Sequence, residues 1–97
     1  MNYVLAPEAE AELADAVSFC SEHFGRAAAK DFLKTFESKV RLISEFPGVG
    51  TATPKGRRLF PIGRYPFSVL YRVDENVILI GAVAHHSRRP GYWKKRT

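Results

Sequence analysis

Arg57-Arg58-Leu59-Phe60-Pro61-Ile62-Gly63-Arg64-Tyr65-Pro66-Phe67-Ser68-Val69-Leu70-Tyr71-Arg72-Val73-Asp74-Glu75-Asn76-Val77-Ile78-Leu79-Ile80-Gly81-Ala82-Val83-Ala84-His85-His86 is the stretch that decides the fold. It holds three β-branched and aromatic runs, Arg57 to Ile62, Phe67 to Val73 and Val77 to His86, cut by Gly63-Arg64-Tyr65-Pro66 and Asp74-Glu75-Asn76. Runs of this length between turn-forming clusters predict three successive strands. In the middle run Phe67, Val69, Tyr71 and Val73 share one face, and Ser68, Leu70 and Arg72 share the other, so that strand is half-buried. The last run is apolar on both sides, Val77, Leu79, Gly81 and Val83 against Ile78, Ile80, Ala82 and Ala84. Both of its faces need a cover.

Upstream, Tyr3-Val4-Leu5 is a short strand candidate, and Pro7 with Glu8 and Glu10 opens a helix with a fixed φ and anions at the positive end of the dipole. Ala9, Leu13, Ala16, Val17, Cys20 and Phe24 recur at helical spacing up to Gly25. A second helix runs from about Arg26 to Phe46 on a stripe of Ala29, Phe32, Leu33, Phe36, Val40 and Ile43, and Pro47-Gly48 stops it. Phe32, Phe36 and Phe46 are read as core. Gly48 to Gly56 shows no period and is read as a loop. The order is therefore β-α-α-β-β-β, an α+β fold with a helical hairpin on one face of a small, mainly antiparallel sheet. The second face is left to the tail or to another protein.

A chain of 97 residues makes one domain. No apolar run reaches the roughly 20 residues that cross a bilayer, so no membrane partner is expected. The N-terminus lacks the basic start and long apolar stretch of a secretion signal, and the single cysteine cannot form an internal disulfide, which points to the cytosol. Cys20 and His23 have no second pair to complete a metal site, and no cofactor motif is present.

Charge is divided along the chain. Up to Pro47 five cations meet eight anions, a balance of −3, whereas beyond it ten cations meet only Asp74 and Glu75, a balance of +8. Such a field draws an anionic partner to one side. Its densest part is the tail, residues 87–97, where Arg88, Arg89, Lys94, Lys95 and Arg96 surround Pro90-Gly91-Tyr92-Trp93. Cations and aromatic faces on an irregular segment suit a polyanion or an acidic protein surface; a solubilising terminus is the plain alternative.

The strand block, the Ile78 to His86 end and Arg88-Arg89-Pro90-Gly91-Tyr92-Trp93 together resemble the RelE/ParE superfamily of toxins from bacterial type II toxin–antitoxin modules, over essentially the whole chain. The resemblance implies a cognate antitoxin as partner and one of two activities. RelE-like members cut messenger RNA on the ribosome, where charge building on the phosphorane calls for an acid, a base and cations. ParE-like members inhibit DNA gyrase without hydrolysis. Against the RelE-like pattern, Ser68 stands where a strand arginine is expected, and loss of such a cation costs on the order of 10²–10³ in rate. His86 and Tyr92 fall near an active-site arginine and the terminal tyrosine, and are the catalytic candidates if the protein is a ribonuclease. The Arg64-Tyr65-Pro66-Phe67 step and the Ala82-Val83-Ala84-His85-His86 end resemble the ParE-like and plasmid-stabilisation branch, which makes gyrase inhibition the expected activity. Messenger cleavage, or a non-toxic relic that binds nucleic acid or co-represses, are the alternatives. For contact with target or antitoxin the charge and exposure pattern selects Arg58, Arg64, Arg72, Arg88, Arg89, Trp93 and Lys94. His85 and His86, adjacent on a strand, face opposite sides, so at most one reaches a shared site.

Overall fold

A computed structural model describes residues 1–96; Thr97, the last residue of the tail, lies outside the described residues. The elements are β1 (Asn2–Leu5), α1 (Pro7–Phe24), α2 (Arg26–Glu45), β2 (Thr51–Thr53), β3 (Arg57–Pro61), β4 (Phe67–Asp74) and β5 (Val77–His85), with a 3₁₀ turn at Pro54–Gly56. They build a five-stranded sheet in the order β1-β5-β4-β3-β2. β1 runs parallel to β5, Asn2 beside Val77 and Leu5 beside Ile80, and every other pairing is antiparallel. No helix among the described residues is long and apolar enough to cross a membrane.

The helices form where expected. Pro7 opens α1, Glu8 and Glu10 lie in its first turn, and Gly25, at φ 97°, joins α1 to α2 in a conformation that favours glycine. Ala9, Ala16 and Cys20 from α1, with Ala29, Phe32, Phe36, Val40 and Ile43 from α2, meet Phe67, Val69, Tyr71, Ile78, Ile80 and Val83 in one core. Burial of these side chains, at about 25 cal/mol per Å² of apolar surface, is the main force holding the hairpin to the sheet.

Four expectations are corrected. The segment read as a loop contains β2, whose three residues pair with β3, Thr51 opposite Leu59 and Thr53 opposite Arg57; a Thr-Ala-Thr strand is too short to display a period and is typical of a blunted sheet edge. The faces of β5 do not alternate evenly. Leu70 pairs with Ala82 but Tyr71 with Ile80, so Gly81 is an extra residue and the phase reverses there. Ile78 and Ile80 point to the helices before it, and Val83 and His85 after it. Phe24, the last residue of α1, is 55% exposed and Phe46, just past α2, is 60% exposed, neither being core. Each sits where its helix ends. In their place Phe19 packs edge-on against Phe67 at 5.7 Å.

Tyr71 fastens the α2–β2 connection. Its buried hydroxyl donates to Pro47 O at 2.7 Å and accepts from Gly50 N at 3.0 Å. A Cβ on Gly50 would lie 2.8 Å from that hydroxyl and 2.9 Å from Leu59 O, so only glycine fits.

Candidate functional site: the basic tail and the second face of the sheet

Leu70, Ala82 and Ala84 face away from the helices and are nonetheless buried. Their neighbourhood contains the tail, which turns back on itself after β5. Three backbone hydrogen bonds, Tyr92 N to Arg89 O at 3.3 Å, Lys94 N to Gly91 O at 3.0 Å and Arg96 N to Trp93 O at 2.8 Å, coil residues 89–96 into successive turns. Thr53, Pro54, Leu59, Trp93 and Lys94 line a crevice of about 300 Å³ between β2, β3 and the tail. The second face is thus covered in part by the chain itself.

Two side chains of opposite sign hold the tail. Arg57, on β3 and only 5% exposed, donates to Trp93 O at 3.2 Å, Lys94 O at 3.3 Å and Arg96 O at 3.0 Å. Three tail carbonyls thus converge on one guanidinium, whose fork of N–H donors can serve several acceptors at once. From the other side Glu12, on α1 with a side chain 10% exposed, accepts from Arg96 at 2.8 Å and from the Tyr92 hydroxyl at 2.5 Å, with Arg88 at 3.5 Å. Glu12 also accepts from Val83 N at 3.1 Å, and Arg96 donates to Gly81 O at 3.3 Å. β1 pairs only with Val77 to Ile80, so beyond it these side chains satisfy backbone groups that a longer β1 would have paired.

Tyr92 is enclosed by that arrangement. The Arg88 and Arg96 guanidinium carbons lie 4.1 Å and 5.1 Å from its ring centroid. Burial, then the hydrogen bond to Glu12, raises its pKa from 10.0 to about 12. Arg96 is held above its ordinary value chiefly by the same carboxylate.

The histidines diverge, although β5 ends at His85 and His86 lies in the turn that follows it rather than on the strand. His85 packs at 4.7 Å against both Phe19 and Phe67 on the helix side, its Nδ1 meets the Ser87 hydroxyl, and burial followed by the charges of His86, Arg88 and His23 lowers its pKa. His86 is exposed, with Nε2 2.8 Å from the Ser68 hydroxyl. No hydrogen bond joins His86 to Tyr92 among the described residues. Cys20 is buried in the core, while the exposed His23 ring stacks on Phe19 at 4.1 Å.

The remaining selected cations scatter. Arg58 donates to Gly48 O at 3.3 Å and Gly50 O at 2.7 Å and so braces the connection before β2. Arg64 is exposed in the β3–β4 turn beside Tyr65, whose hydroxyl donates to Asp31 at 2.5 Å and whose pKa that bond raises to about 12. Arg72 lies 3.8 Å from Asp74. Arg89, Lys94 and Lys95 are exposed on the tail, and Trp93 is half-buried. Sequence reasoning brought Arg88, Arg89, Trp93 and Lys94 onto one segment but missed Glu12 and the inward role of Arg57. The spacing Ala9, Glu12, Ala16, Cys20 was the available signal: an anion set into the stripe that faces the sheet.

A family whose description is "ParE toxin of type II toxin-antitoxin system, parDE" matches residues 3–90. No curated protein matches the chain. Among solved structures, a chain described as "Chromosomal ParDE TA system from P. aeruginosa" superposes with a TM-score of 0.74 at 22% identity, over 88% of this chain and 95% of that one. At that identity the likeness is one of fold.

Proposed function

The chain belongs to the ParE toxin family of type II toxin–antitoxin systems, and from that premise we propose that it inhibits DNA gyrase by binding it in the cytoplasm, without hydrolysing any bond, and that a cognate antitoxin neutralises it. The observation that carries the non-hydrolytic part is the Tyr92 hydroxyl. It keeps its proton and donates it in a hydrogen bond to Glu12, and burial together with that bond raises its pKa to about 12, so the phenolate that a general base requires is suppressed near neutral pH. Ser68 supplies no cation on the strand and is engaged with His86. A messenger-cleaving site would need these groups to converge on one phosphate, and the geometry favours a contact surface instead.

In this reading Arg89, Lys94 and Lys95 present positive charge outward beside Trp93, with Arg64 and Arg72 as outlying cations. An acidic, amphipathic antitoxin segment complements the +8 half of the chain and competes with the target for it. The test is a binding titration of purified gyrase with the antitoxin-free protein. Saturable binding that weakens as salt rises and disappears when antitoxin is added is expected; no complex at low salt would remove the gyrase reading.

A further inference from the structure

Glu12 belongs neither to the contact set nor to the residues that carry the family resemblance, yet it meets Val83 N, Tyr92, Arg96 and Arg88 at one carboxylate. Arg57 meets three carbonyls of the same tail from the opposite side. The two grips differ in sign and in what they hold of the tail: the anion takes its side chains, the cation its backbone.

We infer that Glu12 is the positioning residue of the basic tail, acting with Arg57 as a clamp that turns residues 88–96 from a loose cationic terminus into a fixed surface. The clamp also sorts the cations. Arg96 turns inward to Glu12, whereas Arg89, Lys94 and Lys95 stay exposed and Arg88, also exposed, reaches Glu12 only at 3.5 Å. A tail ordered beforehand does not lose that conformational entropy on meeting its target, so the clamp raises affinity without touching the partner. Its functional consequence rests on the proposed reading that the tail meets the target; its structural part does not.

Glu12→Gln keeps the side-chain shape and removes the charge. Trp93, the one tryptophan, reports the tail directly. With E12Q we expect a red-shifted Trp93 emission, trypsin cleavage at the tail cations faster by about tenfold or more, and a rise of about tenfold in the concentration that half-inhibits gyrase, while the domain still melts cooperatively. Glu12→Asp, which retains the carboxylate, should restore part of each effect. Wild-type protection of the tail in E12Q overturns the clamp. Faster cleavage with unchanged inhibition overturns its positioning role. If E12Q does not fold, the double variant Tyr92→Phe with Arg96→Gln cuts the two short bonds of the same clamp from the tail side, leaves Glu12 with Val83 N and the 3.5 Å contact to Arg88, and is judged by the same readouts. If the wild-type protein leaves gyrase unaffected, the gyrase reading fails by itself and tail protection and Trp93 emission still decide the clamp.

Discussion

The Tyr92 hydroxyl donates to Glu12 across 80 residues of sequence, at 2.5 Å, and so ties the tail to the first helix. Tyr92→Phe removes that donor but keeps the ring between Arg88 and Arg96. Because the acceptor is charged, the loss should cost about 1.5–3 kcal/mol, read as a lower urea midpoint with unchanged slope.

Alkaline titration should separate the tyrosines. Of the four, Tyr65 and Tyr92 are pushed to about 12. A folded value above the unfolded 10.0 contributes stability that is full below pH 10 and disappears as pH rises through about 12. Ultraviolet difference spectra should show Tyr65 and Tyr92 ionising late, and Asp31→Asn should bring Tyr65 down.

On the acid side the sign reverses. The His85 pKa is depressed below 6.5, first by burial against Phe19 and Phe67, then by His86, Arg88 and His23. Its contribution is present above pH 6.5 and is lost as pH falls through the folded value. The melting temperature should fall between neutral and mildly acid pH, and His85→Gln should flatten that fall.

Gly50 and Tyr71 form a close contact that admits no Cβ. Gly50→Ala should destabilise by about 1–3 kcal/mol through overpacking against Leu59 O. Tyr71→Phe leaves Gly50 N and Pro47 O without their partner and should cost about 1–3 kcal/mol. Since both act at one hydroxyl, the double variant should be less than additive in denaturant melts.

Replacing Arg89 and Lys94 with alanine should spare the melting temperature, because both side chains are exposed, and weaken gyrase inhibition by roughly tenfold, with a shallower salt dependence. The supercoiling assay at two salt concentrations checks it.

The features legible in the sequence were those written in local chemistry. Pro7, Gly25 and Pro47-Gly48 marked the helix ends, and the turn clusters at Gly63 and Asp74 marked the strands of the main sheet. β2 escaped because Thr51 to Thr53 is shorter than any period. The Gly81 bulge escaped because an alternation argument assumes a constant phase, and one inserted residue moves Val83 to the core and Ala82 to the covered face. At the site, the cationic tail was visible as charge density, but its clamp was not. Arg57 binds backbone carbonyls, which no residue type announces, and Glu12 meets partners more than 70 positions away.

The most direct measurement is supercoiling of relaxed plasmid by purified gyrase with the antitoxin-free protein, alongside messenger cleavage on ribosomes with the same preparation. Blocked supercoiling with intact messenger is the result expected. Cleaved messenger with normal supercoiling would contradict the reading, and would mean that His86 and Tyr92 act chemically despite the hold of Glu12.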